Sequence, residues 1–254
     1  MSEILAGAEP VSYTAPSAPD APGALVLHGF TGSPQSVRGL ADAFVAEGFS
    51  VELPLLPGHG TTIEDMIPTG WSDWVATALD AHDRLAARCS RVVVAALSMG
   101  GALACRVALD RPTVVGMVLV NPVAEPPGEA LFEILRASIE QGLDRTPGIG
   151  SDIAKPGLSE LAYDGAPLKP ALSMYEGVRE QAPRLGEIRC PILLFNAPQD
   201  HVVPPSNSDF LAASVSGPVE RVTCERSYHV ATLDYDREDI ETRAVDFARK
   251  VTAS

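Results

Sequence analysis

The strongest constraint on this chain is an alternation between two kinds of segment. Ala24–His28, Val51–Leu53, Val92–Leu97, Val114–Val120 and Ile192–Asn196 are largely continuous apolar runs. Continuous runs, as opposed to alternating ones, mark strands buried on both faces. Between them, Ser36–Glu47, Trp71–Ala87, Gly100–Leu109 and Asp236–Val251 carry apolar residues at helical spacing. Strand followed by helix, repeated, predicts an α/β fold with a mostly parallel central sheet flanked by helices. Two shorter strands are expected at Val11–Tyr13 and Pro218–Cys224, the first inside an irregular lead-in over residues 1–23 that is rich in Ala, Pro and Ser.

Residues 122–187 break the rhythm. They are rich in Pro and Gly, hold one amphipathic piece at Ala130–Gln141, and offer no convincing strand. The expected organisation is a core over 1–121 and 188–254 with a cap over 122–187 inserted between two sheet strands. A cap there sits over the carboxyl ends of the strands, where open α/β sheets place their ligands. At 254 residues the chain accommodates one core and a small insertion.

Composition removes several classes of function. The net charge is −14, with no basic stripe to neutralise phosphates, so nucleic acid is an unexpected partner. No apolar run approaches the roughly 20 residues that span a bilayer, so stable membrane insertion is not expected. Residues 1–30 hold no Lys or Arg, which argues against a secretory leader and places the protein in the cytoplasm. Its acidity would repel anionic membranes, so a lipid substrate would be met as monomers or micelles. Cys89, Cys105, Cys190 and Cys224 are widely spaced and form no metal-ligand pattern with each other or with His. Buried, reduced thiols that hold no metal are the expectation.

The most informative segment is Arg91-Val-Val-Val-Ala-Ala-Leu-Ser98-Met-Gly-Gly-Ala-Leu-Ala, where a β-branched run meets a serine and then a helical stretch. A serine on such a sharp turn has its Oγ held clear of the sheet at a helix N-terminus, which favours negative charge. Ala96, Gly100 and Gly101 supply the small residues that a close strand-to-helix crossing needs. Ala96 stands where GxSxG has its first glycine. Taken alone, the pattern also suits an ordinary N-cap serine.

A serine hydroxyl needs an imidazole to take its proton and a carboxylate to fix that imidazole's tautomer, in the chain order Ser, Asp or Glu, His. Of the five histidines, His28 and His59 precede Ser98, and His82 falls on a predicted helix facing solvent. His229 lies between the strand Pro218–Cys224 and the last helix, at the right end of the sheet, and is the candidate base. Asp200 follows the run ending at Asn196 and is the candidate acid, or else a turn residue ahead of Pro204. Its neighbour His201 is expected to pack or hydrogen-bond locally. Acyl transfer also needs two amides for an oxyanion, one just after the nucleophile and one after an early strand. Met99 and Phe30 meet those positions, unless Gly29 and Gly32 merely shape a loop.

Leu27-His-Gly-Phe-Thr-Gly-Ser-Pro, Leu56-Pro-Gly-His-Gly, Gly70-Trp-Ser-Asp-Trp, Ala96-Leu-Ser-Met-Gly-Gly, Asp200-His-Val-Val-Pro-Pro and Ser227-Tyr-His-Val-Ala-Thr-Leu-Asp-Tyr-Asp together resemble the α/β-hydrolase superfamily. Within it they are similar to the bacterial monoacylglycerol lipases and related small carboxylesterases, over nearly the whole chain. The resemblance implies an α/β-hydrolase fold, hydrolysis of the ester bond of a 1- or 2-monoacylglycerol, a small lipid ester, to fatty acid and glycerol through an acyl-enzyme on Ser98, and no metal or organic cofactor. It also implies that Glu160, in Ser159-Glu160-Leu-Ala-Tyr, helps hold the glycerol head, although Glu160 equally reads as one more acidic residue on a polar cap. Ile134, Leu135, Ile139, Leu143 and Met174 are candidate linings of an acyl tunnel, or residues that pack the cap onto the core. Two other readings are a general short-chain carboxylesterase with the same triad, and a catalytically silent lipid-binding protein.

Overall fold

The apolar runs become the strands of one sheet. The structure, a computed structural model, describes residues 2–148 and 150–253. Its strands are β1 (Val11–Tyr13), β2 (Gly23–Leu27), β3 (Ser50–Leu53), β4 (Val92–Leu97), β5 (Val114–Val120), β6 (Arg145–Pro147), β7 (Gly165–Pro167), β8 (Ile192–Asn196) and β9 (Val219–Thr223). The α-helices are α1 (Arg38–Ala46), α2 (Ile63–Met66), α3 (Trp71–Ala86), α4 (Met99–Asp110), α5 (Glu129–Glu140), α6 (Leu168–Gln181), α7 (Ser206–Ser214) and α8 (Arg237–Thr252).

Seven strands form the main sheet in the order β1-β3-β2-β4-β5-β8-β9. Only β1 runs antiparallel to its neighbour. Successive side chains of the central strands feed two separate cores. In β4, Val92, Val94 and Ala96 pack on the side of α3 and α4, while Val93, Ala95 and Leu97 pack on the side of α1 and α8. This two-sided burial is why the strands read as continuous apolar runs. Each fully buried Val, Leu or Phe contributes roughly 1.5–3 kcal/mol of transfer free energy, so both cores are needed to hold the sheet.

A buried charge closes the β1–β3 edge. Glu52 of β3 accepts from Ser12 at 2.6 Å, from Arg88 at 2.5 Å and from both Nε and Nη2 of Arg84. Burial alone would raise its carboxyl, but the hydrogen bonds from Ser12, Arg88 and Arg84 outweigh it and hold the group below the usual range. Cys89, Cys105 and Cys224 are buried and Cys190 is half-buried, and none is joined to another. Burial raises Cys105 and Cys224 to about 12 and Cys190 to about 11, so these thiols stay protonated and unreactive near neutral pH.

The insertion between β5 and β8 differs from expectation. It contains α5, as the amphipathic piece predicts, but also the antiparallel ribbon β6–β7 and the long helix α6. Strands of three residues ending in Pro147 and Pro167 are too short to show a period. Helix α6 is hidden by Pro170 and by Gly177, a poor helix former. Gly177 is required by packing: a Cβ there would lie 2.3 Å from the Trp71 indole. His82 is a second correction. It is 1% exposed and not on a solvent face, held between Asp83 and the Thr113 hydroxyl, where α3 meets the turn before β5.

Candidate active site

Ser98 sits between β4 and α4 with φ 57° and ψ −122°, in the left-handed region that an L-residue rarely adopts. The turn is fixed from both sides. The Ser98 amide donates to the Val120 carbonyl at 3.0 Å, and the Ser98 carbonyl accepts from Gly101 at 2.8 Å and Val123 at 3.0 Å. Close backbone crossings explain the small residues. A Cβ on Gly100 would lie 2.4 Å from the Leu27 carbonyl oxygen, and one on Gly101 would lie 2.5 Å from Pro122 Cβ. Ala96, by contrast, is fully buried within β4, where its methyl group is accommodated.

Asp200 and His229 meet Ser98 at the carboxyl end of the sheet. His229 Nε2 lies 2.9 Å from Ser98 Oγ, and His229 Nδ1 lies 2.7 Å from Asp200 Oδ2. The other Asp200 oxygen accepts the amides of Val202 and Val203, each at 2.8 Å. One carboxylate therefore both forms the turn and faces the imidazole. Asp200, His229 and Ser98 are all buried, so their mutual hydrogen bonds act with little screening.

The Gly29–Phe30 turn is buttressed from beneath by two histidines. His28 Nε2 accepts the Leu56 amide at 3.2 Å and its Nδ1 faces the Gly29 carbonyl at 3.0 Å, which together require the neutral ring protonated at Nδ1. Its ring packs edge-on against His59, 5.0 Å between centroids, and His59 packs against Trp74. Burial lowers His28 from its ordinary 6.5 to about 4; burial, then the neighbouring His28, lower His59 to about 3. Both rings stay neutral near pH 7 and support the turn. A Cβ on Gly29 would come within 3.2 Å of Ser98 Cβ, so the turn passes directly beside the serine.

A cavity of about 270 Å³ opens onto Ser98 and is bounded by Phe30, Met99, His229 and Glu160. Its apolar wall includes Leu131, Leu135, Leu168, Met174, Val202 and Val203. Leu135 and Met174 are thus on the wall, but Ile134 is 62% exposed and Leu143 is 50% exposed, so these two face outward and line no tunnel. Ile139 is half-buried on α5 and is not part of that wall. A larger surface groove beside α8 is bordered by charged residues such as Lys155, Arg226 and Glu238 and does not reach Ser98.

Glu160 is at the cavity and not on a polar exterior. Its Oε1 would be 2.6 Å from a Cβ on Gly32, so the glycine leaves room for the carboxylate. Burial raises the Glu160 carboxyl above its usual range, opposed by His229 and by a hydrogen bond from Ser36.

Three site-supporting residues escape sequence reasoning. Asn121, at the end of β5 with φ 44°, donates to the His229 carbonyl at 2.7 Å and accepts the Ala197 amide at 2.8 Å. It thereby joins the loops after β8 and β9; its position just past an apolar strand is the one signal that could have marked it. Asp152 accepts the amides of His201 and His229, and Asp234 accepts the amides of Ala154, Lys155, Tyr228 and Tyr235. His201 does not bond locally: its Nδ1 lies 2.8 Å from Asp152 of the insertion, and its ring packs edge-on against Tyr228. Among the described residues no cluster of His, Cys, Asp and Glu is arranged to hold a metal ion.

Residues 24–241 match the alpha/beta hydrolase family. The chain is 40% identical over 248 residues to a thermostable monoacylglycerol lipase of Bacillus sp. (strain H-257), an alignment covering 97% of this chain and 96% of that one. It is 22% identical to a carboxylesterase of Bacillus subtilis (strain 168), over 89% of this chain and 92% of the other. Among solved structures, one of the metagenome-derived lipolytic enzymes LipS and LipT superposes with a TM-score of 0.89 at 38% identity, covering 98% of this chain and 100% of that one. A monoacylglycerol lipase of Paleococcus ferrophilus superposes with a TM-score of 0.69 at 19% identity, over 96% and 99% of the two chains, a likeness of fold.

Proposed function

The chain belongs to the alpha/beta hydrolase family, and from that premise we propose that it hydrolyses monoacylglycerols to fatty acid and glycerol through an acyl-enzyme on Ser98. The observation that carries this reading is the continuous chain of contacts from Ser98 Oγ through His229 to Asp200, opening on an apolar cavity. His229 Nε2 takes the Ser98 proton as Oγ attacks the ester carbonyl. Asp200 holds His229 in the Nδ1–H tautomer and stabilises the imidazolium that forms. The amides of Phe30 and Met99 receive the oxyanion. His229 then gives the proton to the departing glycerol oxygen, and a water activated by the same imidazole releases the acid.

The residues over 122–187 act as a cap on a core made of 1–121 and 188–254. The acyl chain lies along Leu135 and Met174, while the glycerol hydroxyls face Glu160. A second acyl chain on the glycerol would have to displace the cap wall, so selection against di- and triacylglycerols is steric. No helix among the described residues is long and apolar enough to cross a membrane, and the enzyme works in the cytoplasm on dispersed lipid.

A fluorophosphonate should add its phosphonyl group to Ser98, read as a mass shift on the peptide containing it. An unlabelled wild-type protein would overturn the mechanism and favour a silent binding protein. A panel of monoacylglycerols and p-nitrophenyl esters of matched chain length tests the substrate. Rates that follow acyl length alone, with no gain from the glycerol head, would replace the lipase reading with that of a general carboxylesterase.

A further inference from the structure

Asp152 lies in the insertion, yet its hydrogen bonds go to the two loops that carry Asp200 and His229. A single oxygen, Oδ2, accepts the amide of His201 at 3.1 Å and the amide of His229 at 3.1 Å. Its Oδ1 faces His201 Nδ1 at 2.8 Å, and its main-chain carbonyl accepts the Val230 amide at 3.1 Å. The Asp152 side chain is 10% exposed, and the bond to the His229 amide is its more sheltered one, since His201 lies largely in solvent. The backbone one residue past Asp200 and the backbone of His229 are thus joined through one atom.

Asp234 makes the reciprocal link. This buried carboxylate, from the loop after β9, accepts Ala154 at 2.7 Å and Tyr228 at 2.9 Å on Oδ2, and Lys155 at 2.9 Å and Tyr235 at 2.8 Å on Oδ1. The insertion strap next to Asp152 is therefore held by the same loop that Asp152 holds. Charge-assisted bonds from amides to carboxylates are roughly twice as strong as neutral ones, which suits a fixed bracket.

We propose that Asp152 is a positioning residue for hydrolysis: it sets the spacing of Asp200 and His229 and couples seating of the insertion to alignment of the imidazole. The proposal rests on the reading of Ser98, Asp200 and His229 as the triad. Asp152 also borders the cavity, but its carboxylate oxygens are engaged by the amides of His201 and His229 and by His201 Nδ1, so its loss is expected to act chiefly on the chemical step. Misplacing a reacting group by about 1 Å costs on the order of a hundredfold. Asp152→Ala is expected to lower kcat about 10- to 100-fold on a short p-nitrophenyl ester, with KM changed less than about threefold. Asp152→Asn keeps an oxygen able to accept both amides and is expected to retain activity within about threefold. His201→Ala removes the imidazole contact but leaves the amide bond, and is likewise expected to stay near wild type.

The experiment measures kcat, KM and the rate of fluorophosphonate addition at Ser98 for wild type and these three variants, with near-UV circular dichroism as the check on folding. The low-field NMR resonance of the His229 Nδ1 proton reports its bond to Asp200 directly; it should weaken or shift in Asp152→Ala and persist in Asp152→Asn. An Asp152→Ala protein with wild-type kcat and an unmoved resonance overturns the proposal, as does a loss confined to KM. If Asp152→Ala does not fold, Asp152→Asn decides: a loss beyond threefold overturns the amide bracket, and retention supports it. Failure of wild-type labelling would instead remove the triad itself, so the two failures are distinct.

Discussion

The sheet and the insertion solve the same problem by different means. In the sheet, backbone geometry places the proposed reacting group: Ser98 is held at φ 57° by a strand, a helix and glycines at close crossings. Between the insertion and the core, side-chain carboxylates and amides do the placing, as Asp152 of the insertion and Asp234 of the loop after β9 show. A backbone device tolerates almost no added volume. A carboxylate device tolerates change wherever an equivalent acceptor remains, and that difference predicts where each region breaks.

The largest effect belongs to Ser98, the proposed nucleophile. Ser98→Ala and His229→Ala should each lower kcat by about 10⁴- to 10⁶-fold, and the double variant should be little worse, because triad members act as a unit. Thermal unfolding should change little in Ser98→Ala, since a single oxygen is removed, and more in His229→Ala, which leaves the buried Asp200 carboxylate without its imidazole partner. Additive losses in the double variant, measured with a p-nitrophenyl ester, would break the claim that the two groups work together.

Acid should expose the next weakness, under the Gly29–Phe30 turn. His28 and His59 bind protons more weakly folded (about 4 and about 3) than unfolded (6.5). Their contribution is complete above pH 6.5 and is lost as pH falls from there towards their folded values. By pH 4 each should have cost about 3 kcal/mol of stability. His59→Asn, which keeps a donor for the Pro57 carbonyl, should flatten the curve of urea stability against pH between 6.5 and 4. An unchanged slope would show that His59 is not neutral in the fold.

Glycines sharpen the comparison at smaller scale. Helix propensity alone predicts that Gly100→Ala stabilises α4 by about 1 kcal/mol. The Leu27 carbonyl at 2.4 Å predicts a loss of about 2–3 kcal/mol, and contact with backbone should win. Gly128, at the start of α5 in the insertion, meets nothing within 4 Å. Gly128→Ala should therefore change stability by less than about 0.5 kcal/mol. Equal losses in urea denaturation would erase the distinction between the regions.

What could be read in the sequence follows the same divide. Strands β2 to β5 and β8, the serine turn, and the positions of Asp200 and His229 are written in local order: apolar runs, small residues beside Ser98, and polar residues just past strand ends. These are one-dimensional signals. His82 falls at helical spacing with Val75, Ala78 and Leu85 on the buried face of α3; its polarity misleads, because the Thr113 hydroxyl beside its Nε2 lies outside the helix sequence. Helix α6 is obscured because Gly177 answers to Trp71, more than a hundred residues earlier. Asp152 and Asp234 look like any surface acids, since what distinguishes them is which distant amides they accept. The outward turn of Ile134 and Leu143 has the same cause: an apolar residue in the insertion does not say which surface it covers.

Glu160 offers the finest test, because it is an acidic side chain that the insertion places at the otherwise largely apolar cavity wall. Its carboxyl is raised by burial, yet His229 and Ser36 favour the charged form. Glu160→Gln keeps the size but replaces one acceptor oxygen with a donor, so one of two glycerol hydroxyls loses its acceptor. A lost hydrogen bond is worth about 1 kcal/mol, so the preference for monoacylglycerol over a matched methyl ester should fall about fivefold. Gly32→Ala should do the same indirectly, since its methyl would displace the carboxyl group while leaving it intact. Both variants should hydrolyse p-nitrophenyl esters at close to the wild-type rate. If the glycerol preference is unchanged in both, head-group selection belongs to the core side of the cavity, and the insertion contributes only the apolar wall.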